Sequence, residues 1–116
     1  MTRYETGLSG EQRAEQWLRE RGMTCVARRY RGGDGEIDLV MLDGETVVFV
    51  EVKTRPKGRA GSGLLAVSAA KRRRMTHAAM AFLSERGWLE RPARFDVIEI
   101  SADGTLHVPN AFLQVK

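Results

Sequence analysis

The chain has 116 residues, 42% of them hydrophobic and 29% charged, which suits one globular domain and leaves no room for two. Its formal net charge of +4 and isoelectric point near 9.7 favour an anionic partner. No stretch reaches the roughly 18 uncharged apolar residues of a membrane span, the start MTRYETGLSGEQ lacks the apolar run of a secretory signal, and a lone Cys25 beside His77 and His107 forms neither a disulfide framework nor a zinc cluster. The expected compartment is the cytoplasm, and any metal must be held mainly by carboxylates.

Ser9, with Gln12 three residues on, reads as a helix N-cap and capping box. Ala14, Trp17 and Leu18 recur at helical spacing until Gly22, predicting a helix over about 9–21. Residues 24–31 are β-branched and aromatic enough for a strand, which RGGDGE interrupts. Two apolar runs, 37–42 and 46–53, flank Asp43-Gly44 and predict a hairpin. From 55 to 63 the composition turns to Pro, Gly, Ser and bases, which reads as an exposed loop. Ser68 then caps a second helix whose apolar stripe of Ala70, Met75, Ala78, Ala79, Phe82 and Leu83 ends at Gly87. Residues 94–100 alternate as a strand, and 105–108 can add a short one after Asp103-Gly104. The order is α-β-β-β-α-β with an optional final strand, one α/β domain without internal repeats.

Charge is unevenly distributed. Thr54 to Ser84 contains no acid and seven bases, Arg55, Lys57, Arg59, Lys71, Arg72, Arg73 and Arg74, while Asp34 to Glu51 contains six acids and no base. Both blocks could be solvated surface. Strand alternation argues otherwise for part of the acidic one: Phe49, Glu51 and Lys53 share one face, and Val48, Val50 and Val52 the other. If the turn pairs Leu42 with Glu45, Asp38 falls opposite Phe49 and diagonal to Glu51 on the same face, and a loop two residues longer or shorter keeps that parity. A surface Glu-Lys pair is the alternative, but the strand is apolar on both faces, and buried charges are costly unless paired or metal-bound. Glu11 lies towards the apolar side of the first helix and supplies a third acid, although the helix dipole also favours an acid there. Hard carboxylate oxygens suit Mg²⁺ or Mn²⁺, which neutralises a scissile phosphate and acidifies water, while a lysine orients that water. Asp96 reads as a structural acid paired with an arginine, and Cys25 as a small core residue.

The residues carrying a family resemblance run almost the whole chain: Gly10-Glu11-x-x-Ala14-x-x-x-Leu18, Gly35-Glu36-Ile37-Asp38-Leu39-Val40, and Val48-Phe49-Val50-Glu51-Val52-Lys53-Thr54-Arg55. Ala66-Val67 with Lys71-x-Arg73-Arg74, Arg94-Phe95-Asp96-Val97 and Asn110-Ala111-Phe112 follow in order. On these the chain resembles the PD-(D/E)XK superfamily of restriction-endonuclease-like nucleases, and more closely the YraN-like family within it. The resemblance implies a restriction-endonuclease-like core, a central mixed sheet flanked by helices. It implies Asp38, Glu51 and the Val52 backbone carbonyl as metal ligands, Lys53 as the water-activating residue and Glu11 as a helix-borne acid. Lys71 stands where related nucleases often place a helical Lys or Gln. Arg29-Tyr30-Arg31 departs from the family's usual Asn-Tyr-Arg, and Ala60 to Leu65 from an FGSP-like stretch.

The expected function is therefore Mg²⁺- or Mn²⁺-dependent hydrolysis of DNA phosphodiesters, with the acid-free segment gripping the backbone without sequence preference. Recognition of DNA structure is expected rather than of a sequence, and a homodimer would supply two sites for two strands. A nucleic-acid-binding or assembly module that keeps the site but cuts nothing alone is the alternative. A metal-free structural domain would leave the convergent charges unexplained.

Overall fold

The computed structural model describes residues 3–55 and 67–112, with side chains from residue 10 onward. Helix α1 (Arg3–Glu20) is followed by strands β1 (Thr24–Gly32), β2 (Gly35–Asp43) and β3 (Thr46–Arg55), helix α2 (Ala69–Arg86), and strands β4 (Ala93–Ser101) and β5 (Gly104–Phe112). The expected order holds, and the optional last strand is formed. The five strands make one mixed sheet in sequence order: β3 and β4 are parallel, joined through α2, and the other neighbours are antiparallel. The chain is thus an α/β protein with a five-stranded mixed sheet and two helices. Among the described residues no helix is long and apolar enough to cross a membrane.

Alternation along the central strand builds two separate cores. On one face Val47 and Phe49 pack with Met75, Ala78, Ala79 and Phe82 of α2 and with Phe95 and Val97 of β4. On the other, Val48 and Val50 pack with Ala14 and Leu18 of α1 and with Ile98 and Ile100. A strand buried on both faces reads as a continuous apolar run, and 47–50 does so. Phe49 meets Phe82 edge-on at a centroid separation of 6.0 Å and Phe95 at 5.7 Å, which anchors the strand two residues before Glu51.

Two expectations shift. Helix α1 begins at Arg3, so position 9 lies inside it rather than at its start. Residues 3–8 contain no proline, and the helix continues back through them. The β2–β3 turn pairs Asp43 with Thr46 across Gly44-Glu45 rather than Leu42 with Glu45. Parity survives, so side chains keep their expected faces, but Phe49 now faces Val40. The register carried one step past Leu39–Val50 puts Asp38 level with Glu51 instead of diagonal to it.

Close backbone approaches at two glycines set the helices on the sheet. A β-carbon at Gly10 would strike the Thr54 side chain, so a bare glycine lets α1 lie against the end of β3. A β-carbon at Gly35 would strike the backbone carbonyl of Arg74, which seats the β1–β2 turn on α2. Asp34 reaches His77 on the same helix at 2.7 Å. Gly35→Ala should therefore cost about 1–3 kcal/mol, because backbone rather than a flexible side chain must give way. Urea denaturation checks this, and an unchanged midpoint would contradict the close seating.

Candidate functional site

The β2–β3 ladder ends at Leu39–Val50, whereas β3 stays paired to β4 as far as Arg55. Beyond that point Asp38 bridges the two strands with its side chain: the Val52 N–H donates to Asp38 Oδ2 at 2.8 Å. The acid thus satisfies a backbone donor that regular pairing has stopped serving. Glu51 lies level with it on the face covered by α2 and is 6% exposed. The two carboxyl groups expected to converge do so, at the fork between the strands.

Burial pushes the Asp38 carboxyl far above its ordinary value, and the hydrogen bond and charge of Glu51 add to this. The Val52 N–H pulls the other way, and the charge of Glu11 adds a small upward push. Two neighbouring carboxylates turned inward cannot both ionise cheaply without a cation. Here the Lys71 ammonium supplies one, 2.5 Å from Glu51 Oε2. That oxygen is buried and receives no directed hydrogen bond among the described residues. Ser68 caps α2 through the Lys71 N–H at 3.1 Å, which starts the helix where Lys71 can reach Glu51.

Lys71, expected both in the basic segment and at the helical position by the site, is brought to the carboxylates. Arg72 is half-buried, Arg73 and Arg74 are exposed on α2, and Arg55 is half-buried with Nε 4.0 Å from Glu99 Oε2. Lys57, Arg59 and the stretch Ala60 to Leu65 lie outside the described residues. Lys53 is half-buried, shares the Glu51 face and sits in register with Glu99. Val52 enters through its N–H on Asp38. Glu11 is brought to the rim, where its carboxylate accepts from Arg29 Nε at 2.9 Å.

The acidic block divides between surface and site. Asp34, Glu36, Asp43 and Glu45 are exposed, and only Asp38 and Glu51 point inward. Glu15 of α1 is buried against Arg28, which grips it at 2.6 and 2.7 Å. A bulge in β1 between Cys25 and Ala27 accompanies that pairing. Asp96 pairs with Arg94 as expected, and also with His107 at 2.7 Å and the Asn110 N–H at 2.9 Å, tying β5 to β4.

One buried acid falls outside the expectations. Glu99 is 1% exposed and lies beside Lys53 and Arg55 on the α2 face of β4. The sequence does carry its signal, since Phe95, Val97 and Glu99 alternate on one face and two of the three are apolar. Among the described residues no three His, Cys, Asp or Glu side chains gather as a metal-holding group. The carboxylate set is the pair Asp38 and Glu51. Two inward hard-oxygen donors, half-buried Asp38 and buried Glu51, are of the type that suits a divalent cation completing its shell with backbone, solvent and substrate oxygens.

Comparison with known proteins places this geometry in a family. The chain is 43% identical over 110 residues to a UPF0102 protein of Geobacter metallireducens, covering 91% of this chain and 90% of the relative. It is 44% identical over 111 residues to a UPF0102 protein of Symbiobacterium thermophilum, covering 91% and 94%. A Pseudomonas entomophila member is 41% identical over 109 residues, covering 93% and 89%. The family model described as "Uncharacterised protein family UPF0102" matches residues 10–100. The span takes in Glu11, the strand fork, Lys71 and Glu99, and the chain belongs to the UPF0102 family, the YraN-like family that its motifs resemble.

Proposed function

We propose that this protein is a divalent-metal-dependent nuclease of the PD-(D/E)XK type, with a restriction-endonuclease-like core, that hydrolyses DNA phosphodiester bonds. The observation that carries the reading is the juxtaposition of two inward carboxylates, Asp38 and Glu51, at the strand fork, with Lys53 two residues further along the Glu51 face. Asp38, Glu51 and the Val52 carbonyl would hold Mg²⁺ or Mn²⁺, which when bound supplies charge neutralisation at the phosphate and a more acidic attacking water. Lys53 orients that water towards phosphorus. The water would lose a proton to solvent as its oxygen forms the new P–O bond, one ester P–O bond would break, and the departing sugar oxygen would take up a proton. Lys71 neutralises Glu51 and, with its side chain 41% exposed, would also contact a phosphate oxygen. Arg73 and Arg74 contact neighbouring phosphates, which carry no base information. Selection is by DNA structure.

A second reading, a nucleic-acid-binding module without cleavage, is favoured by one observation: the Lys71 ammonium itself pairs with Glu51. Calorimetric titration with Mn²⁺ and Mg²⁺ separates the two. The parent is expected to bind, and Asp38→Asn and Glu51→Gln are each expected to lose binding while retaining their circular dichroism spectrum. Parent-like Mn²⁺ binding in both variants would sink the metal assignment.

A further inference from the structure

We propose that Arg29 is a phosphate-binding residue of this site, set at its α1 side as Lys71 is set at its α2 side. The inference rests on the nuclease reading and adds a substrate contact to it. Arg29 adopts φ 50°, one of two non-glycine residues with positive φ among those described. That backbone costs an ordinary side chain about 1 kcal/mol or more and persists where the surroundings impose it.

The consequence is a change of face. Arg28 reaches α1 through Glu15, and in a regular strand Arg29 would then point towards α2. Instead Arg29 also reaches α1, at Glu11, and Tyr30 turns to the α2 side, where it meets Phe82 edge-on at 5.1 Å and donates to Glu85. The flip falls within one continuous register. Arg28 pairs with Leu39 and Tyr30 with Ile37, so Arg29 and Asp38 stand level between those two pairs. A strained arginine thus flanks the acid at the strand fork, and its partner Glu11 is one of the charges Asp38 feels.

The outcome is one acid–cation pair from each face of the sheet, Glu11 with Arg29 and Glu51 with Lys71, on either side of Asp38. A guanidinium, planar and permanently charged, matches the two free oxygens of a phosphodiester. It is 54% exposed at the side chain and accessible to such a ligand. The salt bridge to Glu11 keeps it aimed, and glycine at Gly10 lets α1 come close enough to provide that carboxylate.

Metal-free binding of a fluorescein-labelled DNA oligonucleotide, single-stranded and duplex, followed by anisotropy across a salt series, tests the proposal without using turnover. Arg29→Gly removes the guanidinium and suits the positive φ, so its thermal stability should match or exceed the parent's. It is expected to bind roughly tenfold more weakly, with a log–log salt slope smaller by about one. Arg29→Lys should fall between the two, and Arg29→Asn, which also tolerates this backbone, replaces the glycine variant if that one misfolds. A parent that binds and an Arg29→Gly variant that binds within twofold on the same slope would overturn the Arg29 assignment and leave the nuclease reading intact. A parent that binds neither oligonucleotide, nor labelled flap or four-way DNA in the same assay, would overturn the Arg29 assignment, while the nuclease reading stands or falls on cleavage.

Discussion

Lys53→Met is expected to bind divalent cation and DNA like the parent and to turn over roughly 10²–10⁴-fold more slowly, the usual cost of a lost acid–base or water-positioning group. The substitution keeps the apolar stem, which matters because Lys53 is half-buried on the face shared with Glu51 and stands in register with buried Glu99. What disappears is the charge and its donors. Neither metal nor DNA affinity is expected to depend mainly on this amine, since in the proposed mechanism the carboxylates would hold the one and exposed bases grip the other. A single-turnover cleavage assay with a binding control checks the split. Equal rates for parent and variant would remove Lys53 from the mechanism even with the metal site intact.

The second large effect is one of stability. In the unfolded chain Asp38 ionises near its ordinary value of 3.8, whereas burial and Glu51 raise it in the fold. The folded state therefore holds more protons as pH rises above about 4, and unfolding releases them, so stability falls with pH until the folded group has also ionised. Asp38→Asn removes this loss. Its stability should approach the parent's in the acidic range and exceed it by about 1 kcal/mol or more at alkaline pH. Saturating Mn²⁺ should raise the parent's midpoint at high pH and leave the variant's unmoved. Urea melts of both proteins at pH 5 and pH 8 are the measurement, and parallel pH dependences would show that Asp38 carries no raised proton affinity.

Much of this geometry is legible in the amino-acid sequence because it depends on local rules. Alternation alone assigns Phe49, Glu51 and Lys53 to one face, and an Asp-Gly pair between apolar runs announces the hairpin. The turn slips by one residue at each strand, to Asp43–Thr46, and because the strand period is two the faces of Asp38 and Glu51 survive. Ser68 and Gly87 end α2 as their chemistry dictates. By contrast, the start of α1 carries no proline or dominant cap, so Ser9 is an attractive but false boundary.

Tertiary features escape local rules. The reach of Lys71 to Glu51 depends on how α2 is seated across Gly35, and a basic run of four residues gives no hint that one of them turns inward. Arg29 is harder still, since arginine has no preference for positive φ and only the folded backbone reveals it. Glu99 is readable from its alternation but becomes informative only when parallel pairing sets it beside Lys53.

The most direct measurement is cleavage of end-labelled linear, nicked, flap and four-way DNA in Mg²⁺ or Mn²⁺ by the parent and by Glu51→Gln. The parent should cut at least one branched or nicked substrate only when divalent cation is present, and Glu51→Gln should cut none. Equal cleavage by Glu51→Gln, or a parent that binds the panel yet leaves every substrate whole with either metal, would contradict the assignment of a metal-dependent nuclease.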